Sequence, residues 1–268
     1  MLSVGEILRK RKALYSYRQR DTLKVNLEGR IVDTHMNWAN MSDVLGIMEY
    51  CTYEIALKAL FPRWEGGISR KTKDSMAQGT DAHRALGGVV SPRDYAGDRT
   101  VGEERRALIK GKTVTDWGIV GIYKEVLFRG RLDNFTLLDG PLVEEWKFPK
   151  SVPSSLEGYR VQMDCYGYFL CKLLEVEEVS MDLKVWKRSE FDIEKVKESP
   201  DRFPPTRHET YVYSSSDFGY TESILDDVVN FYTGMVPCIP RQGGGCGWCD
   251  VKKHCPHHPE GGPLEFPP

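Results

Sequence analysis

The chain has 268 residues, 40% of them hydrophobic and 28% charged, with a formal net charge of −2. That is ample for a buried core in one large domain or two small ones. It excludes a protein held to nucleic acid by overall charge, so any such contact must use a local basic patch. No apolar run reaches the ~18 residues of a membrane span, and the N-terminal MLSVGEILRKRKALYSYRQR lacks the apolar core of a secretory signal. A cytoplasmic chain without a membrane partner is expected. Its seven cysteines then call for burial or metal rather than disulfides.

In chain order, residues 1–40 hold a short amphipathic start and a basic run, Arg9-Lys10-Arg11-Lys12, which reads as a solvated helix face. Residues 42–61 predict a helix capped by Ser42, carrying Cys51 and closed by Pro62. Residues 74–86 predict a second helix, carrying His83 and ended by Gly87-Gly88. The stretch from Gly88 to Lys112 reads as a partly helical connection with no evident chemistry. From Val114 the pattern turns β-like and leads into a hairpin from Phe128 to Phe148, with Asp139-Gly140-Pro141 as its turn. A helix follows from Leu156 to Leu174, with Gln162 and Tyr166 four apart on one face and Cys165 and Cys171 as packing residues. Val179, Met181, Leu183 and Val185 alternate as a half-buried strand, with Lys184, Lys187 and Arg188 solvated at its end. A strand near His208 to Tyr213 and a helix near Asp217 to Tyr232 complete the pattern. This order predicts an α/β fold with a central mixed sheet flanked by helices. It divides into an N-terminal helical region (1–73), a core (74–235) and a C-terminal cysteine segment with a loose tail (236–268).

The hairpin carries the chemistry. With its turn near Asp139-Gly140, position 133 falls opposite roughly position 146. Asp133 then lies beside Glu145 and Lys147, which share one face because side chains alternate along a strand, while Glu144 and Trp146 point the other way. Two carboxylates and a lysine on one patch can hold a divalent metal and set a water against a phosphate. The same residues could also form an ordinary surface ion pair.

The second informative stretch is Cys246-Gly247-Trp248-Cys249 followed by Cys255, after Gly243-Gly244-Gly245. Three thiolates at C-x2-C-x5-C spacing point to a metal centre. His254, His257, His258 and Cys238 are local candidates for a fourth ligand and Cys51 is a distant one. Zinc and an iron–sulfur cluster are both open on spacing alone.

Together these motifs resemble the RecB-like branch of the PD-(D/E)XK nuclease superfamily that carries an iron–sulfur cluster, closest to the CRISPR-associated Cas-four exonucleases. The resemblance runs from about Ser42 to Cys255. The family's first cysteine matches Cys51, with Thr52 where a proline usually stands. Its G-x-x-x-H segment matches Gly79 to His83, its G-x-x-D strand Gly130 to Asp133, and its (D/E)-x-K strand Glu145-Trp146-Lys147. Its Q-x-x-x-Y helix matches Gln162 to Tyr166, and its closing triplet Cys246, Cys249 and Cys255.

The resemblance implies a [4Fe–4S] cluster on Cys51, Cys246, Cys249 and Cys255, stapling the N-terminal helical region to the C-terminal segment of a restriction-endonuclease-like fold. It implies Mg²⁺ or Mn²⁺ held by His83, Asp133, Glu145 and the main-chain carbonyl of Trp146. Lys147 would orient the attacking water, with Gln162 and Tyr166 contacting DNA or holding the lysine. The implied activity is a metal-dependent DNA exonuclease acting on single-stranded ends. It would process DNA for CRISPR spacer acquisition, with CRISPR integrase proteins as partners. A phage or cellular recombination and repair nuclease is the alternative within the family. A non-catalytic, zinc- or cluster-stabilised DNA-binding scaffold is the alternative of another class.

Overall fold

The computed structural model describes residues 2–17, 22–49, 51–60, 82, 86, 89–90, 98–198, 203–241, 246, 249 and 251–263. His83 and most of the helix expected over 74–86 lie outside the described residues; Ala82 and Leu86 are helical. The chain forms two compact units. The first comprises Met1–Ser16, Ser69–Gly121 and Gly130–Phe218, and the second Tyr17–Ile68, Ile122–Arg129 and Gly219–Pro268.

The first unit is built on a mixed sheet. Its strands are β4 (Val89–Val90), β5 (Val114–Tyr123), β6 (Val126–Thr136), β7 (Leu142–Lys147), β8 (Glu178–Val185) and β9 (Arg207–Ser214), hydrogen-bonded in that order. β6 and β7 are antiparallel, β7 and β8 parallel, β8 and β9 antiparallel. A parallel neighbour needs a long crossover, and α5 (Glu157–Leu174) supplies it between β7 and β8. Val161, Met163, Cys165, Tyr166, Tyr168, Phe169, Leu170 and Cys171 are buried along that helix, so Cys165 and Cys171 pack as expected. α5 approaches the sheet closely because Gly167 has no side chain. A Cβ there would stand 2.5 Å from the Tyr213 ring and 2.8 Å from Met181 Cε. The hairpin turn likewise needs Gly140, whose φ of 122° lies where other residues are strained.

Helices α1 (Val4–Ser16) and α4 (Asp98–Ile109) pack against each other in this unit. Here one expectation fails. Arg9 and Lys12 are exposed, but Arg11 is 1% exposed, its guanidinium paired with Glu104 and lying 4.3 Å over the Trp117 ring. The basic run is solvated on only part of the helix, because Arg11 falls on the same face as buried Ile7 and Leu8. Its partner comes from the stretch that showed no chemistry in the sequence.

The second unit holds a three-stranded sheet of β10 (Thr233–Pro237), β1 (Lys24–Leu27) and β2 (Arg30–Asp33) in that order. The β1–β2 turn uses Glu28 and Gly29 at positive φ, a hairpin the sequence pattern did not announce. β3 (Ala39–Asn40) pairs with Phe128 and Arg129. The helix expected over 42–61 is broken into a 3-10 turn (Met41–Asp43), α2 (Val44–Glu49) and α3 (Thr52–Leu60). Ser42 lies inside the 3-10 turn, whose N-cap is Asn40. Cys51 is not within a helix. Its carbonyl accepts the Glu54 amide at the start of α3, and the Thr52 hydroxyl is pinned to Ile239 by accepting its amide at 2.7 Å. That tie to a distant segment breaks the helix where the local pattern runs on. α6 (Phe218–Tyr232) buries Ile224, Leu225, Val228 and Phe231 in this unit.

Candidate active site

The structure brings five of the predicted residues onto one face of the first unit. β6 and β7 pair in the register Asn134↔Glu144 and Phe135↔Val143, one residue from the register expected from the turn. The paired residues of β6 run from Thr136 back to Asn134. Beyond it, the Asp133 carboxylate accepts the Trp146 amide at 2.7 Å, taking the place of a backbone partner. Asp133 and Glu145 therefore stay neighbours despite the shift.

Glu145 is 3% exposed and accepts a 2.6 Å bond from the Lys147 ammonium. That ammonium also donates to Gln162 Oε1 at 3.2 Å. Gln162 Nε2 donates to the Tyr166 hydroxyl at 2.6 Å, and Tyr166 donates to the Arg131 carbonyl at 3.1 Å. The chain of contacts runs from β7 through α5 and back to β6. Burial by itself pulls the Lys147 pKa down; Glu145 and then Asp133 outweigh it and hold the lysine above its ordinary value. It is a cation throughout the neutral range. Burial, with Glu145 beside it, raises Tyr166 well above an ordinary phenol, so it stays a neutral hydrogen-bonding group.

Two roles separate here. Tyr166 is 2% exposed, so it cannot stack on a base and acts by hydrogen bonding. Glu144 turns to the opposite face, where it accepts from Asn134 Nδ2 at 2.9 Å and pairs with Lys184. The choice of Glu145 over Glu144 is geometric: only Glu145 meets Lys147.

Sequence reasoning missed Tyr159. Its ring lies 5.5 Å from the Lys147 ammonium, within cation–π range. The spacing 159, 162, 166 puts it on the helix face of Gln162 and Tyr166, a signal that periodicity carries. Of the basic residues at and beyond the end of β8, Lys184 pairs with Glu144 and Asp182, Lys187 with Glu190 at 2.6 Å, and Arg188 donates to the Phe148 carbonyl at 3.0 Å. Trp146 contributes its amide, to Asp133.

The candidate cluster cysteines lie in the second unit. Cys51, Cys246, Cys249 and Cys255 are outside any disulfide and of intermediate exposure. Cys51 Sγ accepts the Arg241 amide at 3.4 Å, and Cys246 Sγ donates to the Arg241 carbonyl at 3.8 Å. Burial raises Cys255, to which Cys51 and Cys246 add, and burial pushes Cys249 up to about 11, with Cys255 among the smaller causes. The four sulfurs thus share one electrostatic neighbourhood. Among the other candidate ligands, Cys238 is 6% exposed, His257 faces the Tyr53 ring and Glu28, and His258 Nδ1 accepts the Glu260 amide at 3.0 Å. Among the described residues, no three of His, Cys, Asp and Glu close round a single ion.

The first unit is a mixed α/β fold in which a hairpin and a crossover helix present acids, a lysine, a glutamine and a tyrosine on one face. No family model and no curated protein matches the chain. Among solved structures, it is similar to SSO0001, with a TM-score of 0.46 and 16% identity over 96% of each chain. It is also similar to a protein of Eubacterium rectale described as an exonuclease, with a TM-score of 0.46 and 9% identity over 86% of this chain and 90% of that one. Rai1 of Scheffersomyces stipitis, solved with (3'-NADP)+ and a calcium ion, is more distant, with a TM-score of 0.27 and 11% identity over 86% of this chain and 57% of that one. No helix among the described residues is long and apolar enough to cross a membrane.

Proposed function

We propose that the protein is a metal-dependent DNA exonuclease that hydrolyses phosphodiester bonds at single-stranded ends. The observation that carries this reading is the convergence of Asp133, Glu145 and Lys147, with Asp133 clamped to the Trp146 amide and Lys147 bridged to Gln162. A pair of carboxylates is an oxygen donor set that fits Mg²⁺ or Mn²⁺. Asp133 and Glu145 would hold the ion, with the Trp146 carbonyl and His83 as further donors. When bound, the ion lowers the pKa of a water and offsets phosphate charge. Lys147, a fixed cation beside the two acids, orients the attacking water and stabilises the negative charge gathering on the phosphoryl oxygens. Gln162 and Tyr166 keep that ammonium aimed.

For the second unit we propose a [4Fe–4S] cluster on Cys51, Cys246, Cys249 and Cys255. What supports it is that Cys51 and Cys246 both bond the Arg241 backbone, and that these two sulfurs add to the rise of Cys255 beyond its burial. Such a cluster would tie the start of α3 to the C-terminal segment. We further propose a role in trimming captured DNA for CRISPR spacer acquisition, beside CRISPR integrase proteins, with a phage or cellular recombination and repair nuclease as the alternative.

The test is hydrolysis of 5′- and 3′-labelled single-stranded DNA with Mg²⁺ or Mn²⁺. Wild type should degrade it, and Asp133→Ala and Lys147→Ala should not. Robust cleavage by both variants would remove the site assignment, and no cleavage by wild type would leave the scaffold reading.

A further inference from the structure

Three residues on one face of α5 reach the candidate active site at different depths. Tyr166 is 2% exposed, while Gln162 and Tyr159 are only half-buried. Tyr159 stands two helical turns from Tyr166, about 10 Å along the axis, in the first turn of the helix. Its amide donates to the Leu156 carbonyl at 2.9 Å, and Leu156 is itself buried, so the helix start that carries Tyr159 is anchored in the core. The Lys147 ammonium lies over the Tyr159 ring, 5.5 Å from its centroid. That distance puts the ring at the carboxylate–lysine site itself, and its half-burial leaves part of the aromatic surface to solvent.

Holding the lysine does not account for the ring. Lys147 already donates to Glu145 at 2.6 Å and to Gln162 at 3.2 Å. A cation–π contact fades near ~6 Å, so the ring adds little to two hydrogen bonds. The other large side chains at this end of α5 are engaged elsewhere. Arg160 lies 4.5 Å over the Tyr211 ring, and Arg207 donates to the Pro153 and Ser154 carbonyls at 2.9 and 2.7 Å. A half-exposed aromatic beside a fixed cation suits a nucleotide, with the ammonium toward the phosphate and the ring toward the base. Every base has a π-face to offer such a ring.

We propose that Tyr159 is a specificity residue of the nuclease site, packing its ring against the base of the nucleotide whose phosphate Lys147 meets. The inference rests on the nuclease reading and adds to it a reason for acting on unpaired ends. A base inside a duplex is stacked on both faces and has none to offer the ring.

The experiment uses oligonucleotides that carry a tetrahydrofuran abasic analogue, which keeps the phosphate and removes the base, at the last or next-to-last nucleotide of either end. Hydrolysis is measured with Mn²⁺ on wild type, Tyr159→Phe and Tyr159→Leu. Binding is measured by fluorescence anisotropy on Asp133→Asn, alone and combined with Tyr159→Leu. In proteins with Tyr159, the analogue at one of these positions should raise KM and weaken binding about tenfold, in line with the loss of a single base–aromatic stack. Tyr159→Phe keeps the ring and should keep this discrimination. In Tyr159→Leu the intact and abasic ends should become equivalent, both at the higher KM. Equal KM and equal binding for intact and abasic ends in proteins with Tyr159 overturn the assignment, and this comparison needs no Tyr159 variant to fold. Full discrimination in Tyr159→Leu overturns it too, as does a fall in kcat at unchanged KM, the signature of a ring that only positions Lys147. Base-dependent binding without any hydrolysis by wild type removes the nuclease reading and leaves the base contact standing. Hydrolysis without base dependence does the reverse.

Discussion

The carboxylate of Asp133 accepts the main-chain amide of Trp146 at 2.7 Å. One of the two proposed metal-binding acids is thereby locked to the strand that carries the other, just beyond the paired Asn134. The bond separates what Asp133 does for the fold from what it does for chemistry. Asp133→Asn keeps an acceptor for that amide, so its urea midpoint should stay near wild type while DNA hydrolysis falls by at least about 10²-fold. Asp133→Ala should lose the same activity and also about 1–3 kcal/mol of stability, the cost of an amide left without its partner. A midpoint unchanged in both variants would show that the clamp does not contribute.

Glu144 and Glu145 are adjacent in sequence but opposed in space. Glu145→Gln should abolish hydrolysis, because it removes the acid that faces Lys147. Glu144→Gln should retain it, because Glu144 is engaged with Asn134 and Lys184 on the other side of the sheet. Parallel time courses on end-labelled DNA decide; an inactive Glu144→Gln with an active Glu145→Gln would reverse the assignment.

Tyr166 acts from inside the core. Tyr166→Phe keeps the ring and removes a hydroxyl that donates to the Arg131 carbonyl and accepts from Gln162. The expected cost is about 1–3 kcal/mol in denaturant unfolding. In kinetics, kcat should fall several-fold with KM unchanged, because Gln162 loses its hold on Lys147 while the surface that meets DNA is untouched. A rise in KM with kcat intact would instead assign Tyr166 to substrate contact.

Asp43 offers a pH test away from the site. Its carboxylate accepts from Asn40 at 2.9 Å and from Tyr232 at 3.1 Å, and burial, outweighing both bonds, raises its pKa above the ordinary 3.8. A raised folded pKa favours folding when the group is protonated. That contribution is present below pH 3.8 and lost as pH rises through the folded value. Asp43→Asn, which can accept both bonds without charge, should therefore raise the Tm at pH 7 and leave it nearly unchanged at pH 3. The opposite ordering in thermal scans would mean that the charged form is the stabilised one.

For the cysteines, protein purified without oxygen should be brown and contain about four irons per chain if the cluster is present. Cys51→Ala should be colourless with less than one iron. Retained iron in that variant would shift the fourth ligand to Cys238 or to one of the local histidines.

The period-two alternation of β7 placed Glu145 with Lys147 and apart from Glu144, and the helical period placed Gln162 with Tyr166. These are local relations, set by backbone geometry within a few residues, and the sequence carries them in full. It also carried most strand and helix positions from Val114 to Tyr232, where apolar periodicity is strong.

The remainder was decided by partners far along the chain. Strand register shifted by one residue because the turn pivots on Asp139, and the Asp133 side chain made up the difference. Arg11 is buried because Glu104 and Trp117 meet it there, and Cys51 leaves the helix because Thr52 is bound to Ile239. Such contacts depend on which surfaces tertiary packing brings together, and no local pattern encodes them.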